Sequence, residues 1–180
     1  MSERLYIGID LGTYQSTIAS SSGTIHTVET VVGRPKDPVA RNMLKRDVLF
    51  GAEALKHQMS CDLYRPMAKG VTQDDEANLA AAKAFMGHLI ETMDPEEYDE
   101  VVGVVCSPSH VSFTDKSNLV ATLRGQVNAI MVVSEPFATA YGIGEFHGTI
   151  VVDIGAGTTD IARLYGTFPS DDDQISIAEA

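Results

Sequence analysis

An apolar strand running into Asp-x-Gly occurs twice in this chain, and that repeat restricts the fold more than any other feature. Residues 5–17 read Leu-Tyr-Ile-Gly-Ile-Asp-Leu-Gly-Thr-Tyr-Gln-Ser-Thr, and residues 150–160 read Ile-Val-Val-Asp-Ile-Gly-Ala-Gly-Thr-Thr-Asp. In each, a bounded apolar run of the kind that buried strands use ends at a carboxylate, Asp10 or Asp153. A glycine-rich turn and a hydroxyl-rich return strand follow. Gly155 and Gly157 leave no side chain between the backbone N–H groups and a ligand. Either stretch alone also describes an ordinary hairpin. Together they describe two pseudo-equivalent lobes, each offering a turn and a carboxylate to one ligand. A polyphosphate with Mg²⁺ suits both, and Mg²⁺ keeps several of its waters, so Asp10 and Asp153 would act mainly through water.

The charge balance narrows the partners. Against 13 basic residues stand 25 acidic ones, a net of −12, which argues against a nucleic-acid backbone or an anionic membrane as the main partner. Acidic runs at 74–76, 94–100 and 171–173 read as solvated loops and helix starts. No apolar stretch approaches ~20 residues, so no transmembrane segment is expected, and the first residues lack a signal peptide's pattern. Cys61 and Cys106 are isolated thiols without metal-type spacing. His26, His57, His88, His110 and His147 are scattered and read as surface or core filler. A reduced, cytosolic protein follows.

In order, residues 5–10, 16–21 and 24–30 predict a three-strand antiparallel meander. From Val31 to Val71 the pattern is broken by Gly33, Pro35, Pro38, Gly51, Pro66 and Gly70. This reads as an insertion with a strand at 47–50 and a short helix at 52–59. Residues 74–93 predict the clearest helix, with Leu79, Ala82, Met86, Leu89, Ile90 and Met93 on one face, opened by Thr72-x-x-Asp75 and stopped by Asp94-Pro95. Residues 101–106 are a buried strand. Ser112-x-x-Asp115 opens a second helix that ends near Arg124-Gly125. Residues 129–133 are another buried strand, and Ser134 caps a third helix that ends at Gly142 or Gly144. A new pair of strands begins at Thr149. Three antiparallel strands followed by αβ units give a mixed sheet with helices packed on its faces.

This α/β arrangement resembles the ribonuclease-H-like lobe of the actin, sugar-kinase and Hsp70 superfamily, a mixed five-stranded sheet with flanking helices. Residues 9–13 (Ile-Asp-Leu-Gly-Thr) match its first phosphate motif, and residues 152–160 its second. Residues 132–144 (Val-Val-Ser-Glu-Pro-Phe-Ala-Thr-Ala-Tyr-Gly-Ile-Gly) resemble its connecting helix, whose Glu-Pro start is typical of prokaryotic actins and Hsp70s. Residues 65–71 are similar to a stretch of the rod-shape (MreB) family. Residues 32–37, 133–137 and 166–169 resemble the branch of prokaryotic actins whose filaments align magnetosomes. The resemblance implies ATP and Mg²⁺ as ligands, with Asp10 and Asp153 holding the metal's waters. Backbone amides around Gly12-Thr13 and Gly155-Ala156-Gly157 would cradle the β- and γ-phosphates, assisted by Thr158. Glu135 would orient the attacking water, as a carboxylate can. It is also a first-turn acid that suits the helix dipole. Ala138 and Ala140 allow close packing at a hinge and equally serve as ordinary helix formers.

The implied organisation is a first lobe over 1–147, with an insertion over about 31–72, and the start of a second lobe over 148–180. Strands at 149–154, 158–165 and 174–178 would lack helices over their apolar face, and the adenosine half of the site would lie beyond residue 180. The implied function is a cytoplasmic, cytoskeletal actin-like protein that polymerises and hydrolyses ATP, an ATPase if the second lobe is supplied. Its partners would be itself or a full-length actin-like homologue in filaments, and magnetosome-associated proteins. Two alternatives stand beside it: a non-hydrolysing half-actin that docks on a full-length filament, and an Hsp70-like chaperone ATPase or sugar kinase. Phosphate and metal contacts alone seldom bind tightly in water, so weak or absent ATP affinity is expected of the 180 residues. The exposed strands are expected to drive association or stay disordered.

Overall fold

The computed structural model describes residues 3–68, 71–72 (backbone only), 75–166 and 168–178. Expectations that touch Lys69, Gly70, Gln73, Asp74 and Thr167, or the Thr72 side chain, lie outside the described residues. The chain starts with β1 (Arg4–Leu11), whose strict alternation buries Leu5, Ile7, Ile9 and Leu11. A period of two is what a strand with one face in a core requires. Antiparallel β2 (Gln15–Ser20) and β3 (Ile25–Glu29) complete the meander.

The segment from 31 to 72 is more ordered than its sequence suggests. It contains β4 (Val32–Pro35), α1 (Pro38–Leu44), β5 (Leu49–Phe50), α2 (Gly51–Lys56), β6 (Cys61–Tyr64), β7 (Met67–Ala68) and β8 (Val71–Thr72). A three-stranded sheet in the order β5-β4-β6 packs a small core of Val31, Leu49, Ala54 and Cys61. The expected strand and helix near 47–59 are present but shorter, as β5 and α2. β4, α1 and β6 went unpredicted, because Gly33, Pro35 and Pro38 read as loop punctuation. Yet Asp37 accepts a hydrogen bond from the Ala40 N–H at 2.7 Å and Pro38 opens the helix, a start signal that the sequence does contain.

Then come α3 (Glu76–Glu91), β9 (Glu100–Ser107), α4 (Phe113–Leu123), β10 (Ala129–Ser134) and α5 (Glu135–Ile143). Asp75 caps α3, and Ser112 with Asp115 forms the reciprocal box at the start of α4. The main sheet runs β10-β9-β1-β2-β3, with β10, β9 and β1 parallel and the meander antiparallel. Phe85, Met86, Leu89 and Ile90 of α3, and Leu119 and Leu123 of α4, share one core with Leu5, Ile7, Ile9, Val101 and Val105. Among the described residues only that face is fully covered. On the other face Tyr6, Val104 and Met131 remain exposed, while α5 lies against β9 and β10, and the expected mixed five-stranded sheet with flanking helices is present.

A second sheet follows: β11 (His147–Ile154), β12 (Thr158–Tyr165) and β13 (Gln174–Ala178), antiparallel throughout. One face packs Val151 and Leu164 against Ala140 of α5, with Phe137 and Phe146 alongside. The other face is open. The register aligns Val152, Ile161 and Ile175 in one row and Ile154, Thr159 and Ile177 in the next. Ile154 is 74 % exposed and Ile175 58 %. The expected bare apolar face is therefore present among the described residues.

Candidate phosphate-binding site

β1 and β9–β10 deliver their C-terminal ends to one place, where open α/β sheets commonly bind ligands. Asp10 ends the apolar part of β1, and the chain then turns through Gly12. A Cβ on Gly12 would lie 2.2 Å from the Gln15 carbonyl oxygen, so the turn closes only with glycine there. Thr30 holds the loop from behind. Its hydroxyl donates to the Gly12 carbonyl at 2.8 Å, and Ser16 Oγ lies 2.8 Å from Thr30 Oγ1. From the second sheet, β11 brings Asp153 and its hairpin closes with the Gly155 N–H donating to the Thr158 carbonyl at 2.9 Å. Glu135, the first residue of α5, enters from β10.

These pieces meet in one cleft of about 300 Å³. It is lined by Asp10, Leu11, Gly12, Thr13, Tyr14, Gln15, Glu135, Asp153, Gly155, Ala156, Gly157 and Thr158. Every site residue expected from the sequence lines it. Leu11, Tyr14 and Gln15 were not singled out.

Among the described residues that line it, the cleft gathers Asp10, Glu135 and Asp153 and no Lys or Arg. Burial pushes Asp10 up from its ordinary value, and the charge of Asp153 adds to this. Asp153 is raised by burial and then by Asp160. Glu135 is pushed up to about 8, first by burial and then by Asp160, Asp10 and Asp153. Cys106 rises to about 12 through burial, with the same cleft acids contributing. Buried carboxylates that repel one another either hold a proton or are offset by a bound cation. Among the described residues, no group of three or more His, Cys, Asp or Glu side chains is arranged to hold a metal directly. The oxygen donors of Asp10 and Asp153 fit a hydrated, oxygen-seeking ion such as Mg²⁺, which they would reach through water.

Three residues without an expected role join the two sheets behind the cleft. Asp160 is 1 % exposed and accepts a hydrogen bond from the Ser109 N–H at 2.6 Å. His110 Nε2 lies 2.9 Å from the Gln174 carbonyl and 3.1 Å from that of Asp171, and donates to them. The alternation through Thr158-Thr159-Asp160 could have placed Asp160 inward. Nothing in the sequence pairs it with Ser109.

Comparison with known proteins agrees with this architecture. The model of the MreB/Mbl protein family matches residues 4–166. The actin-like protein MamK of Magnetospirillum gryphiswaldense is 36 % identical over 178 residues, 98 % of this chain and 49 % of that protein. MamK of Paramagnetospirillum magneticum is also 36 % identical, over 98 % of this chain and 51 % of its own length. The chain thus spans about half the length of the curated relatives it matches. A MamK double helical filament aligns with a TM-score of 0.93 at 35 % identity, covering 98 % of this chain and 55 % of that one. A non-polymerising MamK mutant bound to AMPPNP aligns at 0.86 and 34 % identity, covering 100 % of this chain and 56 % of the other. With the family model matched along most of its length, the chain belongs to the MreB/Mbl family of actin-like proteins, on the side of MamK.

Proposed function

We propose that this chain carries the phosphate-binding half of an actin-like filament protein that binds and hydrolyses ATP with Mg²⁺. The observation that carries the reading is the convergence of Asp10, Asp153, Glu135 and both glycine loops on one cleft. In this reading residues 1–147 are the first lobe, with 31–72 inserted, and 148–180 begin the second. Amides of Gly12-Thr13 and Gly155-Ala156-Gly157 hold the β- and γ-phosphates, and the Thr158 hydroxyl assists. Bound Mg²⁺ would neutralise charge on the phosphates, with Asp10 and Asp153 fixing its waters. Glu135, in the carboxylate form that a bound cation beside it would favour, aligns a water and takes its proton. The water oxygen bonds to the γ-phosphorus as the bond to the β-phosphate oxygen breaks, and ADP leaves. The magnetosome-aligning branch supplies the model for cargo, and the cytoplasm for its place.

A second reading has its own support. The bare face of Val152, Ile154, Ile175 and Ile177 suits a non-hydrolysing half-actin that docks on a full-length filament. Sedimentation with Mg-ATP separates the two. Pelleting of the chain alone, lost in Asp153→Ala, is the outcome expected of a filament ATPase. Pelleting only beside preformed MamK filaments, with Asp153→Ala unchanged, would favour the docking reading.

A further inference from the structure

Two hydroxyl groups are sealed behind the first glycine loop. Ser16, the second residue of β2, and Thr30, the residue after β3, are both fully buried. A buried hydroxyl is costly unless its hydrogen bonds are made, and here the bonds have a direction. Thr30 Oγ1 donates its one proton to the Gly12 carbonyl at 2.8 Å. The 2.8 Å contact between Ser16 Oγ and Thr30 Oγ1 therefore has Ser16 as its donor. A chain of hydrogen bonds runs from Ser16 through Thr30 to the Gly12 carbonyl. Thr30 also donates its backbone N–H to the Tyr14 carbonyl at 2.8 Å. One residue thus holds both carbonyls that bracket the tip of the loop.

Gly12, Thr13, Tyr14 and Gln15 line the cleft, whereas Thr30 lies behind them. A trans peptide unit, as this one is, points its N–H opposite to its C=O. A Gly12 carbonyl held back at Thr30 therefore turns the Thr13 N–H the other way, toward the cleft. Hydrogen bonds in series also polarise one another, so a carbonyl that accepts makes the N–H of its own peptide unit a stronger donor. We propose that Thr30, backed by Ser16, is a positioning residue for the phosphate site: it aims the Thr13 N–H into the cleft and strengthens it as a donor to a phosphate oxygen. Thr30 touches neither phosphate nor metal and acts only through the loop. The role rests on the phosphate-site reading above, because the Thr13 amide is one of the donors in that reading.

Two substitutions separate this role from packing. Valine has the branched shape of threonine without the donor, and serine keeps the donor without the methyl group. In ¹⁵N amide spectra of the ligand-free 180-residue chain, Thr30→Val is expected to move the Thr13 nitrogen resonance upfield and to leave those of α3 in place. On titration with Mg-ATP, affinity read at residues 12–13 is expected to fall about fivefold, the worth of one hydrogen bond. Thr30→Ser should restore both readouts. Ser16→Ala keeps both contacts of Thr30 to the loop and is expected to act in the same direction by less. It carries the test if Thr30→Val does not fold. A Thr13 resonance and an Mg-ATP affinity unchanged in Thr30→Val, or in Ser16→Ala where only that variant folds, would overturn the positioning role and leave the phosphate site standing. A loss in Thr30→Ser as large as in Thr30→Val would assign the effect to packing and overturn it equally. If neither glycine loop of the native chain responds to Mg-ATP, the phosphate reading falls and the role of Thr30 with it.

Discussion

Glu135 shows how a residue's position sets its chemistry. At the first turn of α5 an acid is favoured by the helix dipole, yet the cleft removes water and faces it with Asp160, Asp10 and Asp153. Its carboxyl lies above the ordinary 4.5, at about 8, so folding favours the protonated form. That contribution to stability is complete below about pH 4.5 and is lost as pH rises through about 8. Glu135→Gln fixes the neutral form. Its Tm should match that of the native chain near pH 4.5 and exceed it by several degrees at pH 9. Superimposable Tm–pH curves would show that the cleft does not strain this carboxyl. The residues at this scale were legible in the sequence wherever a motif is contiguous: Asp10, Gly12, Thr13 and 153–158 each lie on a strand–turn that an apolar run ending in Asp-x-Gly announces. Thr30, Ser109 and Asp160 were not, since they act through partners 18 and 51 positions away.

At the scale of elements, the helices α3 and α4 and the strands of the main sheet follow from caps and periodicity. The segment from 31 to 72 does not. Its strands are too short for alternation to register, and its order comes from a small core assembled across β4, β5, β6 and α2. The seam between the two sheets is likewise a tertiary construction. The loop after β9 grips β12 through Ser109 and grips the turn before β13 through His110, while α5 packs on both β11 and β12. The second glycine loop is therefore held at two points as well as by its own hairpin. Removing the imidazole by His110→Ala should cost the β13 attachment roughly 1 kcal/mol. Hydrogen exchange should accelerate across Gln174–Ala178 and leave α3 unchanged. Equal acceleration in both would mean that the imidazole supports the whole fold rather than the seam.

For the whole molecule, the two halves of the architecture are unequal. The first sheet has a full core on one side, whereas the second has α5 on one face and bare isoleucines on the other. Both faces left open lie on strands that also carry the cleft acids, so whatever covers them also settles the site's geometry. The cleft itself is built from turns and acids, the groups that meet phosphate and metal, and such contacts exchange strong hydration for strong binding with little net gain. On the proposed reading these phosphate and metal contacts alone would give weak affinity for Mg-ATP.

The most direct test reads the loops themselves: amide chemical shifts of the 180-residue chain during titration with Mg-ATP, beside Asp153→Ala. Shifts confined to residues 12–13 and 155–158, saturating only at about millimolar ligand and absent from the variant, are what a half-site of phosphate loops predicts. Micromolar saturation would contradict the weak half-site. Shifts that bypass both loops, or that persist undiminished without Asp153, would contradict the phosphate site altogether.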